Sequence, residues 1–273
     1  MTGLFCCVER NLVPFLPKSD LSAVALASVE VLGPKSSLAY SFPMLPLRDH
    51  EPSLLRPVVT VSLIGLNVVV FFLEITAPNI DAFVNAWALV PSQISPSDPQ
   101  SIVPFITAQF LHGGVAHIGF NMLYLWIFGD NVEGRLGHGK FLAFYLISGI
   151  VAAVAELPFL WESSIPMLGA SGAIAGVLGM YLACFPHHRV DALMPTFLGF
   201  WTRVTLPAGG VLFFWFITQL FSGTASIAGS AASGGVAWWA HIGGFAFGWI
   251  VGKSLKHPAV EVMPRDWKSI RHS

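Results

Sequence analysis

A few polar side chains stand out in a chain that is otherwise largely apolar. Ser171 lies between Gly169 and Gly172 in LGASGAIAGVLGMY, residues 168–181. His241 lies in WWAHIGG, and His112, His117 and Asn121 fall in LHGGVAHIGFN. A serine hydroxyl is a weak nucleophile at neutral pH unless a base takes its proton as it attacks. An imidazole titrates close to working pH and can serve as that base. Attack on an amide carbonyl creates a negative oxygen, which needs preorganised hydrogen-bond donors. If Ser171 heads a helix, its own backbone N–H lacks an intrahelical partner and sits at the positive end of the dipole. His117 and Asn121, four residues apart, share one helix face and can add side-chain donors. These residue types fit acyl transfer: Ser171 attacks, and His241 acts first as base and then as acid. No acidic residue is close to His241 in the sequence, so the expectation is a dyad whose imidazole is oriented by packing. His112 either anchors its loop or helps position the oxyanion or water.

Such a set works only if distant segments meet, and the composition says where. Of 273 residues 54% are hydrophobic and 11% charged, and the mean hydropathy is +0.68. That is too few charges for an ordinary soluble domain. Apolar runs of about 20 residues mark membrane spans, and six occur: 57–77, 116–135, 140–160, a short one at 171–185, 204–222 and 237–255. All 14 Lys and Arg lie before the first run, at the end of the last or beyond it, or at the junctions of the second with the third and the fourth with the fifth. The intervening connections 78–115, 161–170 and 223–236 have none. Cationic loops stay cytoplasmic, so both termini are expected there. The fold class is all-α, a polytopic bundle of six transmembrane helices. The expected organisation is a disordered cytoplasmic segment over 1–56, a membrane domain over 57–256 and a cytoplasmic tail over 257–273. Met44 is an alternative natural start, which would make 1–43 an over-extended reading.

On this topology Ser171, His241, His117, Asn121 and His112 share one outer layer. Polar groups inside a bilayer face a bundle interior or a water-filled cavity. The fourth run, 171–185, would be only about 22 Å long as a helix, against a hydrocarbon thickness of about 30 Å. Its head therefore stops below the outer surface, where irregular backbone requires cover by protein or water. Ser171, Ala175 and Gly179 form one strip of small residues, and Gly244, Gly248 and Gly252 form another. Close approach of these strips would carry His241 toward Ser171. Gly223, Gly229, Gly234 and Gly235 read as a flexible connection.

In these motifs the sequence resembles the rhomboid intramembrane serine proteases, bacterial members included. GASG at 169–172 matches the family's GxSG, HGGVAHIGFN at 112–121 its second-span pattern, and AHIGGFAFG at 240–248 its AHxxGxxxG. GDNVEGRLG at 129–137 matches GxxxExxxG, which implies a structural hydrogen-bonding role for Glu133. The resemblance spans about 57–256. It implies Ser171 as nucleophile, His241 as base, His117, Asn121 and His112 in oxyanion or supporting roles, and Gly169, Gly172, Gly244 and Gly248 as structural positions. Two departures stand out. The loop 78–115 has Trp87 but no arginine, where the family often has a Trp-Arg pair. Ala175 takes the place of a tyrosine that supports the histidine in some members, so either another aromatic such as Trp238 or Trp239 supports His241 or its ring is looser.

The implied function is an intramembrane serine endopeptidase that cuts single-span membrane proteins in or near their transmembrane segment. The alternative is a catalytically inactive rhomboid-like protein that binds membrane clients; retention of both Ser171 and His241 favours the enzyme. The expected partners are the lipid bilayer and such substrates, and the expected site is a bacterial inner membrane with the active site facing outward. No basic stripe suits nucleic acid, and no HExxH or other metal-ligand set occurs, so neither metal nor cofactor is expected. A transporter would show repeats across the spans, and none is evident.

Overall fold

The computed structural model describes residues 44–51, 53, 55–196, 200–227 and 237–255. The expectations for 1–43, for most of the connection before the last helix and for the tail 257–273 lie outside the described residues. Helices dominate. Among the described residues the long ones are α1 (Val58–Ile75), α3 (Val115–Leu136), α4 (His138–Leu160), α5 (Ser171–Cys184), α6 (Ala208–Ile227) and α7 (Trp238–Ser254), and a shorter α2 (Ile80–Trp87) follows α1. By length and composition α1 and α4 are long and apolar enough to cross a membrane, while α5 and the Ala208–Thr224 part of α6 are shorter apolar helices.

The helix α5 is apolar all round, as befits a helix surrounded by others. Its residues from Gly172 to Tyr181 are all buried. Helices α3, α4 and α7 pack around it. The outer surface is apolar as well: Val68, Val69 and Phe72 of α1, Phe213 and Phe221 of α6, and Ile250 of α7 are exposed. Large apolar side chains facing outward suit a hydrocarbon solvent, where they have no water to avoid.

Glycine lets α5 and α7 touch backbone to backbone. A Cβ on Gly244 would lie 2.2 Å from Gly172 O, and one on Gly248 would lie 1.9 Å from Gly176 O. A Cβ on Gly179 would lie 2.0 Å from Phe245 O. The strip on α7 is the expected one. On α5 the contact runs through Gly172, Gly176 and Gly179, one residue round from the expected Ser171–Ala175–Gly179 face.

A small sheet departs from the all-α expectation. Strand β1 (Leu45–Asp49) pairs antiparallel with β2 (Arg189–Pro195), which pairs antiparallel with β3 (Trp201–Pro207). β2 and β3 occupy what the sequence reading treats as a plain connection plus the start of the fifth span, and α6 begins only at Ala208. The residues are right for strands: RVDALMP and WTRVTLP mix β-branched and aromatic side chains with prolines at their ends, and such side chains suit a pleated surface. β1 lies within the segment expected to be disordered, yet Leu45 and Leu47 pack with Leu193 in a core of their own. Its Asp49 is buried, accepting hydrogen bonds from Tyr181 Oη of α5 (2.5 Å) and Asn131 Nδ2 of α3 (2.6 Å). Asp191 ties the sheet together through Arg203, Thr205 Oγ1 (2.6 Å) and His50 Nε2 (2.8 Å). Burial alone would raise the Asp191 carboxyl. The hydrogen bonds from Thr205, His50 and Arg203 and the Arg203 charge outweigh it and hold the pKa at about 2. Gly223, expected in a flexible connection, is helical within α6 and faces Trp238, Trp239 and Ile242 of α7.

At the same end of the bundle Glu133 of α3 closes the start of α1. Its carboxylate accepts from Val59 N (2.8 Å), Thr60 N (2.7 Å) and Thr60 Oγ1 (2.6 Å), and lies 2.5 Å from His138 Nδ1. The first N–H groups of a helix have no internal acceptor, and the N-terminal residue Pro57 supplies none. Glu133 fills that gap from a neighbouring helix.

Candidate active site

Ser171 is the first residue of α5, and the local chain explains why the helix begins there. Gly169 has φ of 128°, a conformation side-chain-bearing residues avoid, and its N–H donates to Ala108 O at 2.9 Å. Upstream, Leu89 and Met167 exchange backbone hydrogen bonds. The approach to Ser171 is therefore held by the long loop after α1 rather than by regular helix. Ala170 caps the helix without a side-chain hydrogen bond, so the first-turn amides point toward whatever sits beside Ser171.

The structure brings Ser171 and His241 together. Ser171 Oγ lies 2.9 Å from His241 Nε2. His241 is in the first turn of α7, one turn before Gly244, so the close α5–α7 seam sets this distance. Aromatic rings hold the imidazole. Trp238 sits edge-on at 6.2 Å between centroids and Trp215 of α6 lies at 6.0 Å. Trp239, the other expected support, stacks on Phe159 at 4.4 Å instead. Sequence reading missed Trp215. It also missed Gln219 of α6, whose Oε1 lies 2.8 Å from His241 Nδ1.

His117 flanks the same spot. A Cβ on Gly169 would fall 3.0 Å from His117 Nε2 and 3.6 Å from Ser171 Oγ, so the imidazole stands beside the hydroxyl across the space that glycine leaves. His117 Nδ1 accepts from Gly113 N at 3.4 Å, which leaves Nε2 as the side facing Ser171. Asn121, one turn further along α3, is buried, and its Nδ2 has no acceptor. An unpaired buried amide donor is costly, and a developing oxyanion would satisfy it. His112 is buried edge-on against His117 at 5.2 Å and hydrogen-bonds neither Ser171 nor His241. Its backbone N–H donates to Glu74 Oε2 at 3.0 Å. That bond is made by the backbone, and neither ring nitrogen of His112 has a hydrogen-bond partner, so it does not choose between the two roles expected of the imidazole.

Two buried carboxylates hold the site-bearing segments. Glu74, at the end of α1, fixes the His112 loop. Glu156 of α4 accepts from Ala240 N at 2.7 Å and so caps the first turn of α7 from another helix. The loop without an arginine is fastened in other ways: Gln109 Nε2 donates to Leu146 O (3.2 Å), and Thr107 Oγ1 donates to Trp87 O (2.7 Å). Beside Ser171 opens a cavity of about 50 Å³, lined by Gln109, Gly149, Ala152, Met167, Gly172 and Ala240 among others. Among the described residues no group of His, Cys, Asp and Glu could hold a metal ion.

The family model described as Rhomboid domain matches residues 99–257, more than half of the chain and every residue named around Ser171 except Glu74, Trp87 and Leu89. The chain belongs to the rhomboid family. Rhomboid proteins are integral membrane proteins and intramembrane serine proteases. This rhomboid is 31% identical over 208 residues to Rhomboid protein 1, mitochondrial, of Saccharomyces cerevisiae, covering 71% of this chain and 54% of the relative. It is 38% identical over 130 residues to Rhomboid protease GluP of Bacillus subtilis, covering 46% of this chain and 24% of the relative. It is 33% identical over 172 residues to RHOMBOID-like protein 6, mitochondrial, of Arabidopsis thaliana, covering 62% and 47%. The chain thus spans about half or less of the length of these relatives. Their names point to mitochondria as well as to a bacterium, and they give no support for a bacterial inner membrane over another membrane.

Proposed function

We propose that this rhomboid is an active serine endopeptidase using a Ser171–His241 dyad. The observation that carries this reading is the 2.9 Å approach of His241 Nε2 to Ser171 Oγ, made by residues 70 apart in the chain. Nε2 takes the hydroxyl proton as Oγ bonds to the scissile carbonyl carbon. The resulting oxyanion receives the Ser171 backbone N–H, His117 Nε2–H and Asn121 Nδ2–H. Removing one such donor typically costs about 2.7–4 kcal/mol in the transition state. Collapse breaks the C–N bond, and His241 gives its proton to the leaving amine. Water then attacks the acyl-enzyme with His241 again as base, which releases the acid and restores Ser171.

The long helices and the Lys and Arg distribution support a six-span arrangement over 57–256 with both ends on the cytoplasmic side. The sheet and Glu133 then lie toward the cytoplasm and Ser171 toward the opposite face. α5 is 14 residues, about 21 Å at 1.5 Å each, so Ser171 sits below the outer hydrocarbon boundary. The substrates that fit are single-span membrane proteins whose helix unwinds there. The small-residue walls of the cavity beside Ser171 suit a small side chain at the scissile position. The test is reconstitution in liposomes with a labelled single-span substrate. Cleavage is expected from the unaltered chain and absent from Ser171→Ala and His241→Ala. Persistent cleavage by Ser171→Ala contradicts the serine mechanism.

A further inference from the structure

We infer that Gln219 is a positioning residue that fixes which nitrogen of His241 carries the proton; this rests on the reading of Ser171 and His241 as the reacting pair. A neutral imidazole has one N–H and one lone pair, and only the lone pair can take the serine proton. Nε2 faces Ser171 Oγ at 2.9 Å, so productive chemistry needs the resting proton on Nδ1. An acceptor opposite Nδ1 enforces that state. In most serine hydrolases it is a carboxylate. Among the described residues no carboxylate oxygen lies within hydrogen-bonding distance of His241, and Gln219 Oε1 occupies the position at 2.8 Å.

The direction of the amide follows from its neighbours. A side-chain amide presents either its oxygen or its NH2, and the network decides which. Thr218 Oγ1–H donates to Trp215 O at 2.6 Å, which uses the only hydroxyl proton Thr218 has. Thr218 Oγ1 can then only accept, and Gln219 Nε2 donates to it at 3.3 Å. Gln219 Oε1 is thereby left toward Nδ1. Every hydrogen bond in the row from Trp215 O through Thr218, Gln219 and His241 to Ser171 has one sense. Gln219 is buried, with 5% of its surface exposed. Water does not compete at this distance from bulk solvent, so the amide oxygen is the acceptor that Nδ1–H has. A neutral amide holds the tautomer without adding a second buried charge, which in a low-dielectric site is a large saving over a carboxylate.

The test compares Gln219→Met, which keeps length and apolar volume but removes the acceptor, with Gln219→Glu, which keeps an acceptor. The full chain is labelled with ¹⁵N-histidine in liposomes, and His241 is identified as the signal missing in His241→Ala. In the unaltered chain at neutral pH, the spectrum is expected to show the Nδ1–H tautomer. In Gln219→Met it is expected to show mixed tautomers, with kcat down by about 100-fold and KM little changed. Gln219→Glu is expected to recover the Nδ1–H signal and most of kcat. An unchanged tautomer in Gln219→Met overturns the inference, whatever happens to cleavage. Equal loss of kcat in both variants also overturns it, because that pattern marks a role in folding alone. Cleavage that survives Ser171→Ala refutes the reading of Ser171 as nucleophile instead, and the tautomer comparison still decides the role of Gln219.

Discussion

Replacing Gly244 by alanine tests how the site is assembled. The new Cβ would sit 2.2 Å from Gly172 O, where ordinary contact begins at 3.4 Å. Both atoms belong to helix backbone or are fixed to it, so no side chain can swing aside. The helices α5 and α7 must part by about 1.2 Å at that level. Gly172 adjoins Ser171 and Gly244 is one turn from His241, so most of the displacement reaches the pair. An Oγ–Nε2 distance of 2.9 Å would become roughly 4 Å, beyond hydrogen bonding. A displacement near 1 Å in a reacting pair can cost about 100-fold in rate, and overpacking costs about 1–3 kcal/mol of stability. Cleavage of a liposome-reconstituted single-span reporter gives kcat/KM, and thermal unfolding in detergent gives stability. Gly119→Ala is the control, because a Cβ there meets nothing within 4 Å. Gly244→Ala should lose both activity and stability while Gly119→Ala keeps both. Wild-type values for Gly244→Ala would refute the claim that backbone contact between α5 and α7 sets the catalytic distance.

Glu156→Ala should leave Ala240 N–H buried without its acceptor, at a cost of about 1–3 kcal/mol, and lower activity through His241; Glu156→Gln should retain most of both, as read by unfolding and cleavage. Asp191→Asn should change the acid response of the three-stranded sheet. The folded Asp191 pKa of about 2 lies below the unfolded value of about 3.9. Its contribution to stability is therefore full above the unfolded value and is lost as pH falls toward 2. Unfolding followed from pH 6 to pH 2 should show the parent losing more stability than Asp191→Asn across that window. Equal slopes would mean that Arg203, Thr205 and His50 do not hold the carboxylate as described.

What the sequence made legible was what repeats in type and spacing. The starts of α3, α5 and α7 fall within two residues of the expected positions, because long apolar runs and the glycines before Ser171 mark them. The pairing of Ser171 with His241 followed from two small-residue strips at matching depth. The exact face did not: GAIAGVLG offers small residues on several sides, and only the partner helix selects Gly172, Gly176 and Gly179. The sheet was hidden because a hairpin beside a membrane span continues its hydrophobicity, so the start of the fifth span absorbed β3. Asp49 joins Tyr181 across 132 residues, a contact no local pattern records. Gln219 carried a usable signal, since a polar residue inside an apolar helix usually faces the interior. No acid flanks His241 in the sequence, and its amide partner on α6 adjoins it only once the helices pack.

The proposed reaction needs a serine made nucleophilic by one histidine, and covalent trapping measures that directly. The liposome-reconstituted chain is treated with a fluorophosphonate and the modified residue is located by mass spectrometry of its peptides. The adduct should sit on Ser171, disappear in Ser171→Ala and form far more slowly in His241→Ala. An adduct on another residue, or labelling of Ser171 at an unchanged rate without His241, would contradict it.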